Sequence, residues 1–115
     1  LLDLIQTPAE IMARALRAHL ADCLVTLPAL AETGDAPSLH FYLGNLSHMR
    51  RAIFPAVEAA YDNWLAGEGT ADLAAVAARG RDHWDTLARA MLDLHNDLGP
   101  AAAGPIRDLV EAGTI

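Results

Sequence analysis

Apolar residues recur three or four positions apart along most of the chain, the spacing of one buried helix face. The first such stripe runs Met12, Leu16, His19, Cys23 and Leu27. Ahead of it, Thr7-Pro8-Ala9-Glu10 reads as a helix start: Thr7 as cap, Pro8 at the first helical position and Glu10 completing a capping box. Pro28 is expected to kink or divide this helix, and Thr33-Gly34-Asp35 to end it. A second start follows at Asp35-Ala36-Pro37-Ser38, with Asp35 or Ser38 as the cap. Its stripe is Leu39, Tyr42, Leu46, Met49, Ile53, Val57, Ala60 and Trp64, which predicts one long helix bent near Arg51 by Pro55. Gly67-Glu68-Gly69 closes it. Thr70 is the predicted cap of a third helix with Leu73, Val76, Gly80, His83, Leu87, Met91, Leu94 and Leu98 in register, stopped by Gly99-Pro100. A short last helix is expected from Pro105, carrying Ile106, Leu109 and Val110 before Gly113.

Three long amphipathic helices and a short fourth, joined by tight turns, predict an all-α, up-down-up-down bundle. The expectation is one domain over residues 1–115, and the missing initiator methionine reads as a trimmed product or a fragment of a longer chain. Composition agrees. Hydrophobic residues make up 53% and aromatics only 5%, so alanine and leucine dominate and strand formers are scarce.

Charge narrows the partners. Fifteen acidic and eight basic residues, the latter all arginine, give a net charge of -7. Such a field repels phosphate backbones and anionic lipid, so neither nucleic acid nor a membrane is an expected partner. No apolar run is long enough for a span, and Leu1-Leu2-Asp3-Leu4-Ile5 lacks the basic region of a secretory signal. Cys23 is the single cysteine, which excludes an internal disulfide and favours a reducing, cytoplasmic setting.

No phosphate loop, dinucleotide fingerprint or nucleophile elbow is present, and neither serine, Ser38 or Ser47, sits in a catalytic frame. Catalysis is therefore the least favoured class. Asp82 with Asp85, and Asp93 with Asp97, read as a solvated helix face. The histidines invite more: His19, His40, His48, His83 and His95. His19 and Cys23 lie one turn apart on the first stripe, and His83 is on the third. In an up-down-up arrangement those helices run parallel. His19 lies twelve residues past Thr7 and His83 thirteen past Thr70, so both stand at similar height. That height is roughly 18 Å by the helical rise. Imidazoles from facing helices are raw material for a metal site. The competing reading is ordinary hydrogen-bonded core histidines, and His48 faces the polar side unless the Pro55 bend turns it inward.

His48-Met49-Arg50-Arg51-Ala52-Ile53-Phe54-Pro55-Ala56-Val57 resembles the central signature of the hemerythrin-like (HHE cation-binding) family. Leu16-Arg17-Ala18-His19-Leu20 and Asp82-His83-Trp84-Asp85-Thr86-Leu87 are similar to its first- and third-helix histidine segments. The resemblance implies a four-helix bundle with a di-iron site, and a sensory or regulatory role. It would make His19, His48 and His83 the iron ligands, with Cys23 as an additional candidate. The chain departs from the pattern at Arg50, Arg51 and Ala52, where the family carries acidic residues, and at Leu87, where it carries a second histidine. These departures imply an iron site lost or reduced. Two alternatives stand beside it. One is a metal-free interaction module, with Trp64, Trp84, Leu109 and Val110 lining a homodimer interface, a protein-partner surface or a small apolar-ligand pocket. The other is a haem or tetrapyrrole pocket with His19 or His83 as axial ligand.

Overall fold

The computed structural model describes residues 8–115, and among these every regular element is helical. The expected Thr7 cap lies outside the described residues. The first helix, α1 (Pro8–Ala21), continues through a π-type turn at Asp22–Thr26 into α2 (Leu27–Thr33). Pro28 explains the turn. It has no N–H for the Leu24 carbonyl, and the Leu27 N–H bonds back to the Asp22 carbonyl, widening the helix just before the proline. The run ends at Gly34, whose φ of 60° suits glycine.

The second long helix is instead three short ones: α3 (Ala36–Gly44), α4 (His48–Ile53) and α5 (Pro55–Leu65). Of the two candidate caps for α3, Asp35 holds the position and accepts from the Ser38 N–H at 3.1 Å. Ser47 caps α4 by accepting from the Arg50 N–H at 3.2 Å, a competing start that interrupts the expected rod. Phe54, at φ −135° and ψ 61°, leaves the helical region ahead of Pro55, so Pro55 opens a new helix rather than bending an old one.

The long helix α6 (Ala71–Leu98) is the axis of the fold and packs on α1, α2, α5 and α7 (Ala103–Ala112). Thr70 sits at its N-cap, but its side chain does not cap. The hydroxyl donates to the Ala31 carbonyl at 2.7 Å and ties the start of α6 to the end of α2. A 3-10 turn, Gly99–Ala102, leads into α7, which begins two residues before Pro105. The proline then falls in the first turn, where its missing N–H costs nothing.

Three contacts fix direction. Thr70 meets Ala31, Gly80 meets Cys23 and Trp84 meets His19, so residues ascending α6 face residues descending the first run. The first run and α6 are antiparallel, which corrects the parallel pairing expected from an up-down-up chain. The breaks in the middle segment are the reason. They add reversals, so α5 runs the same way as α1: Phe54 lies beside Gly80, and the Asn63 amide donates to Asp72 at 2.6 Å. The molecule extends 47 × 29 × 20 Å, and α6 supplies about 42 Å of that length by helical rise. Leu16, His19, Leu27, Leu39, Phe54, Val57, Leu73, Trp84 and Val110 form the fully buried centre. No helix among the described residues is long and apolar enough to cross a membrane.

Candidate functional site

The middle of α6 packs closely against the first run and the α4–α5 break. A Cβ placed on Gly80 would stand 2.6 Å from Cys23 Sγ and 2.9 Å from Phe54 Cζ, so only glycine lets the π-type turn and the α4–α5 break approach together. One turn further on, His19 lies between Phe54 (ring centroids 5.0 Å apart, edge-on) and Trp84 (5.6 Å, stacked). The His83 ring contacts Trp84 edge-on at 4.7 Å. Sequence spacing placed His19 and His83 at similar height, and both rings do meet at Trp84. They reach it from antiparallel helices, because each lies near the middle of its own run.

His19 has no exposed surface, and its Nε2 lies 2.8 Å from the Arg50 carbonyl oxygen. A carbonyl only accepts, so Nε2 carries the proton and Nδ1 is an unprotonated nitrogen. Nδ1 is buried with no hydrogen-bond partner, as is Trp84 Nε1. Burial, with the positive Arg50 side chain adding to it and the Arg50 carbonyl opposing, lowers the His19 pKa from 6.5 to about 4. The ring is neutral at ordinary pH. His83 uses its Nε2 in the same way, donating to the Gly113 carbonyl at 2.6 Å and holding the end of the chain against α6. Nearby, the Ile115 N–H donates to the Ile53 carbonyl at 3.2 Å.

The other residues marked out in the sequence scatter. His48 is exposed at the first position of α4, and His95 is exposed near the end of α6. His40 is exposed and bonded to the Tyr61 hydroxyl, beside Trp64. Cys23 is buried against Gly80 and Phe54, and burial pushes its thiol up to about 11. Trp64 is half-buried and Trp84 wholly so. Among the described residues, no three of His, Cys, Asp or Glu stand close enough to share a metal ion. Asp82, Asp93 and Asp97 are exposed, and half-buried Asp85 accepts from Arg89 at 3.0 Å.

Arg50 and Arg51, placed where a carboxylate pair would serve iron, have internal tasks instead. Arg50 pairs with Asp22, and each side chain is only about a fifth exposed (21% and 18%). Tyr42 donates its hydroxyl to the same Asp22 oxygen, Oδ2, at 2.8 Å. Burial raises the Tyr42 pKa and lowers that of Arg50. Arg51 donates to Glu58 at 2.9 Å and to the Leu43 carbonyl. An iron centre does not fit this donor set. The imidazole Nε2 atoms hold carbonyls, no carboxylate cluster among the described residues faces them, and a guanidinium lies close enough to His19 to disfavour a second cation.

The Asp22–Arg50–Tyr42 group also forms part of a groove of about 580 Å³. Thr26 and Leu30 line one wall, and Pro37, Ser38, Phe41 and Asn45 the other. One wall is the π-type turn and α2, the other α3, and the two helices diverge after the Gly34 turn instead of packing face to face. Sequence reading missed this site. Asp22 reads as one more surface acid, and only a π-type turn inside the helix, a frequent mark of functional positions, singles it out.

No curated protein and no solved structure matches the chain. Over residues 1–113 it matches the C-terminal domain of a family of unknown function, DUF6866, and it belongs to that family.

Proposed function

We propose that this domain is a metal-free helical docking module that binds a protein partner, rather than an iron sensor or an enzyme. The observation that carries the reading is the engagement of both central histidines. Nε2 of His19 and of His83 each hold a main-chain carbonyl, and the one buried imidazole nitrogen without a partner among the described residues, His19 Nδ1, is sealed in the core where no group of three His, Cys, Asp or Glu forms. These imidazoles staple the fold, while the α2–α3 groove presents polar and apolar groups together to solvent. The family's description as a C-terminal domain supports a unit that serves a longer protein. The single buried Cys23 supports a reducing, cytoplasmic setting. The likeness to hemerythrin-like bundles fits as descent from a bundle that has lost its iron.

Metal analysis of the chain purified without a histidine tag tests the reading. Sub-stoichiometric iron and zinc, unchanged in a His83→Ala variant, is the expected result. One metal ion per chain, lost in that variant, would overturn it.

A further inference from the structure

The α2–α3 groove has a chemical polarity of its own. Both contacts to Asp22, from Arg50 and from Tyr42, fall on Oδ2. Its Oδ1 accepts no hydrogen bond from the described residues, yet Asp22 lines the groove and keeps some solvent access. Asn45 likewise uses its amide nitrogen on the Phe41 carbonyl, leaving its side-chain oxygen as an acceptor on the same wall. The groove therefore offers acceptors and carboxylate, while its one cation, Arg50, is already paired.

Apolar surface flanks those acceptors. Phe41, on the α3 wall, is 72% exposed. Leu30 lines the opposite wall, and Pro37 the same wall as Phe41. An exposed phenylalanine beside a groove of this size is an anchor of the kind that dominates helix-in-groove recognition. The net charge of -7 selects for a basic partner and against a second copy of the same acidic chain.

We infer that the groove binds a basic amphipathic segment of a partner protein. Its apolar residues lie on Leu30, Pro37 and Phe41, and one arginine or lysine reaches Asp22 Oδ1. The inference rests on the docking-module reading and gives that reading its partner chemistry.

A displayed library of random twelve-residue peptides, selected on the full chain, tests it. Recovered peptides should carry Arg or Lys three or four positions from a large apolar residue. Synthesised and labelled, they should bind the full chain and weaken about tenfold or more on Phe41→Ser, the loss of one anchor. Because Phe41 is so exposed, this variant should keep the parent's circular dichroism and Tm. Asp22→Asn should weaken basic peptides while leaving versions with Arg or Lys replaced by Gln unaffected. Acidic or uncharged winners, binding indifferent to Phe41→Ser, or no binders at all would overturn the inference. So would a homodimer in sedimentation that Phe41→Ser dissolves, since the occupant would then be another copy. Stoichiometric metal would instead overturn the docking-module reading itself, so the two failures are distinguishable.

Discussion

Gly80→Ala puts the packing at the centre of the fold under direct test. On an exposed helix this change is stabilising by about 1 kcal/mol, because alanine is the better helix former. Here the new methyl carbon would stand 2.6 Å from Cys23 Sγ and 2.9 Å from Phe54 Cζ, both buried. Neither neighbour is a free side-chain end, since Phe54 is held against His19 and Trp84. Overpacking costs about 1–3 kcal/mol, and two contacts under 3.0 Å with buried neighbours put this site in the upper part of that range, about 2–3 kcal/mol. Set against the propensity gain, a net loss of about 1–2 kcal/mol remains, equivalent to a Tm lower by roughly 4–8 °C for a chain of this size. Urea and thermal melts of the full chain measure it. Cys23→Ala removes the sulfur, so Gly80→Ala should cost less in that background, with a coupling of at least about 0.5 kcal/mol. A neutral or stabilising Gly80→Ala would refute the close approach of the first run to α6. Strict additivity with Cys23→Ala would refute the register that sets Cys23 opposite Gly80.

Other outcomes follow from the same contacts. The lowered His19 pKa means that the folded state resists a proton the unfolded chain accepts. Stability is complete above about pH 6.5 and declines as pH falls toward about 4, by up to about 3 kcal/mol. Urea midpoints at pH 7, 5.5 and 4.5 should therefore fall more steeply in the parent than in His19→Phe, and parallel slopes would refute the assignment. Arg50→Met strips the partner from a largely buried Asp22 and should cost about 2 kcal/mol in denaturant melts, more than Arg50→Met costs in an Asp22→Asn background. Gly34→Ala places a Cβ on a left-handed residue and should lower stability by about 1 kcal/mol, read as a shift in urea midpoint.

Much of the fold is legible in the sequence because its signals are local. The stripe Leu16, His19, Cys23, Leu27 is buried as its spacing predicts, and Leu73, Val76, Gly80 and Met91 on α6 are too. Pro28 announces a disturbance in the first run, and Gly34 its end. The middle segment is where local reading fails. A stripe from Leu39 to Trp64 satisfies helix periodicity even though Ser47 caps a fresh helix and Phe54 leaves the helical region. Periodicity carries no record of such breaks. Their consequence is global, because they reverse the chain direction and set α6 antiparallel to the first run. Histidine chemistry is ambiguous for a different reason. Spacing brings His19 and His83 to one level, but whether an imidazole nitrogen meets a metal or a carbonyl depends on the Arg50 and Gly113 main chains, 31 and 30 residues away. The groove is least legible, since Asp22 and Phe41 come together only through the π-type turn and the divergence of α2 from α3.

The state of the His19 ring tests the central claim most directly. Nitrogen-15 NMR of uniformly labelled chain distinguishes the two ring tautomers and follows protonation. The account predicts a neutral ring protonated at Nε2 and bonded to the Arg50 carbonyl, unchanged down to about pH 5 and unmoved by one equivalent of zinc or ferrous iron. A His19 ring that titrates near 6.5, or whose Nε2 proton disappears when metal is added, would contradict it.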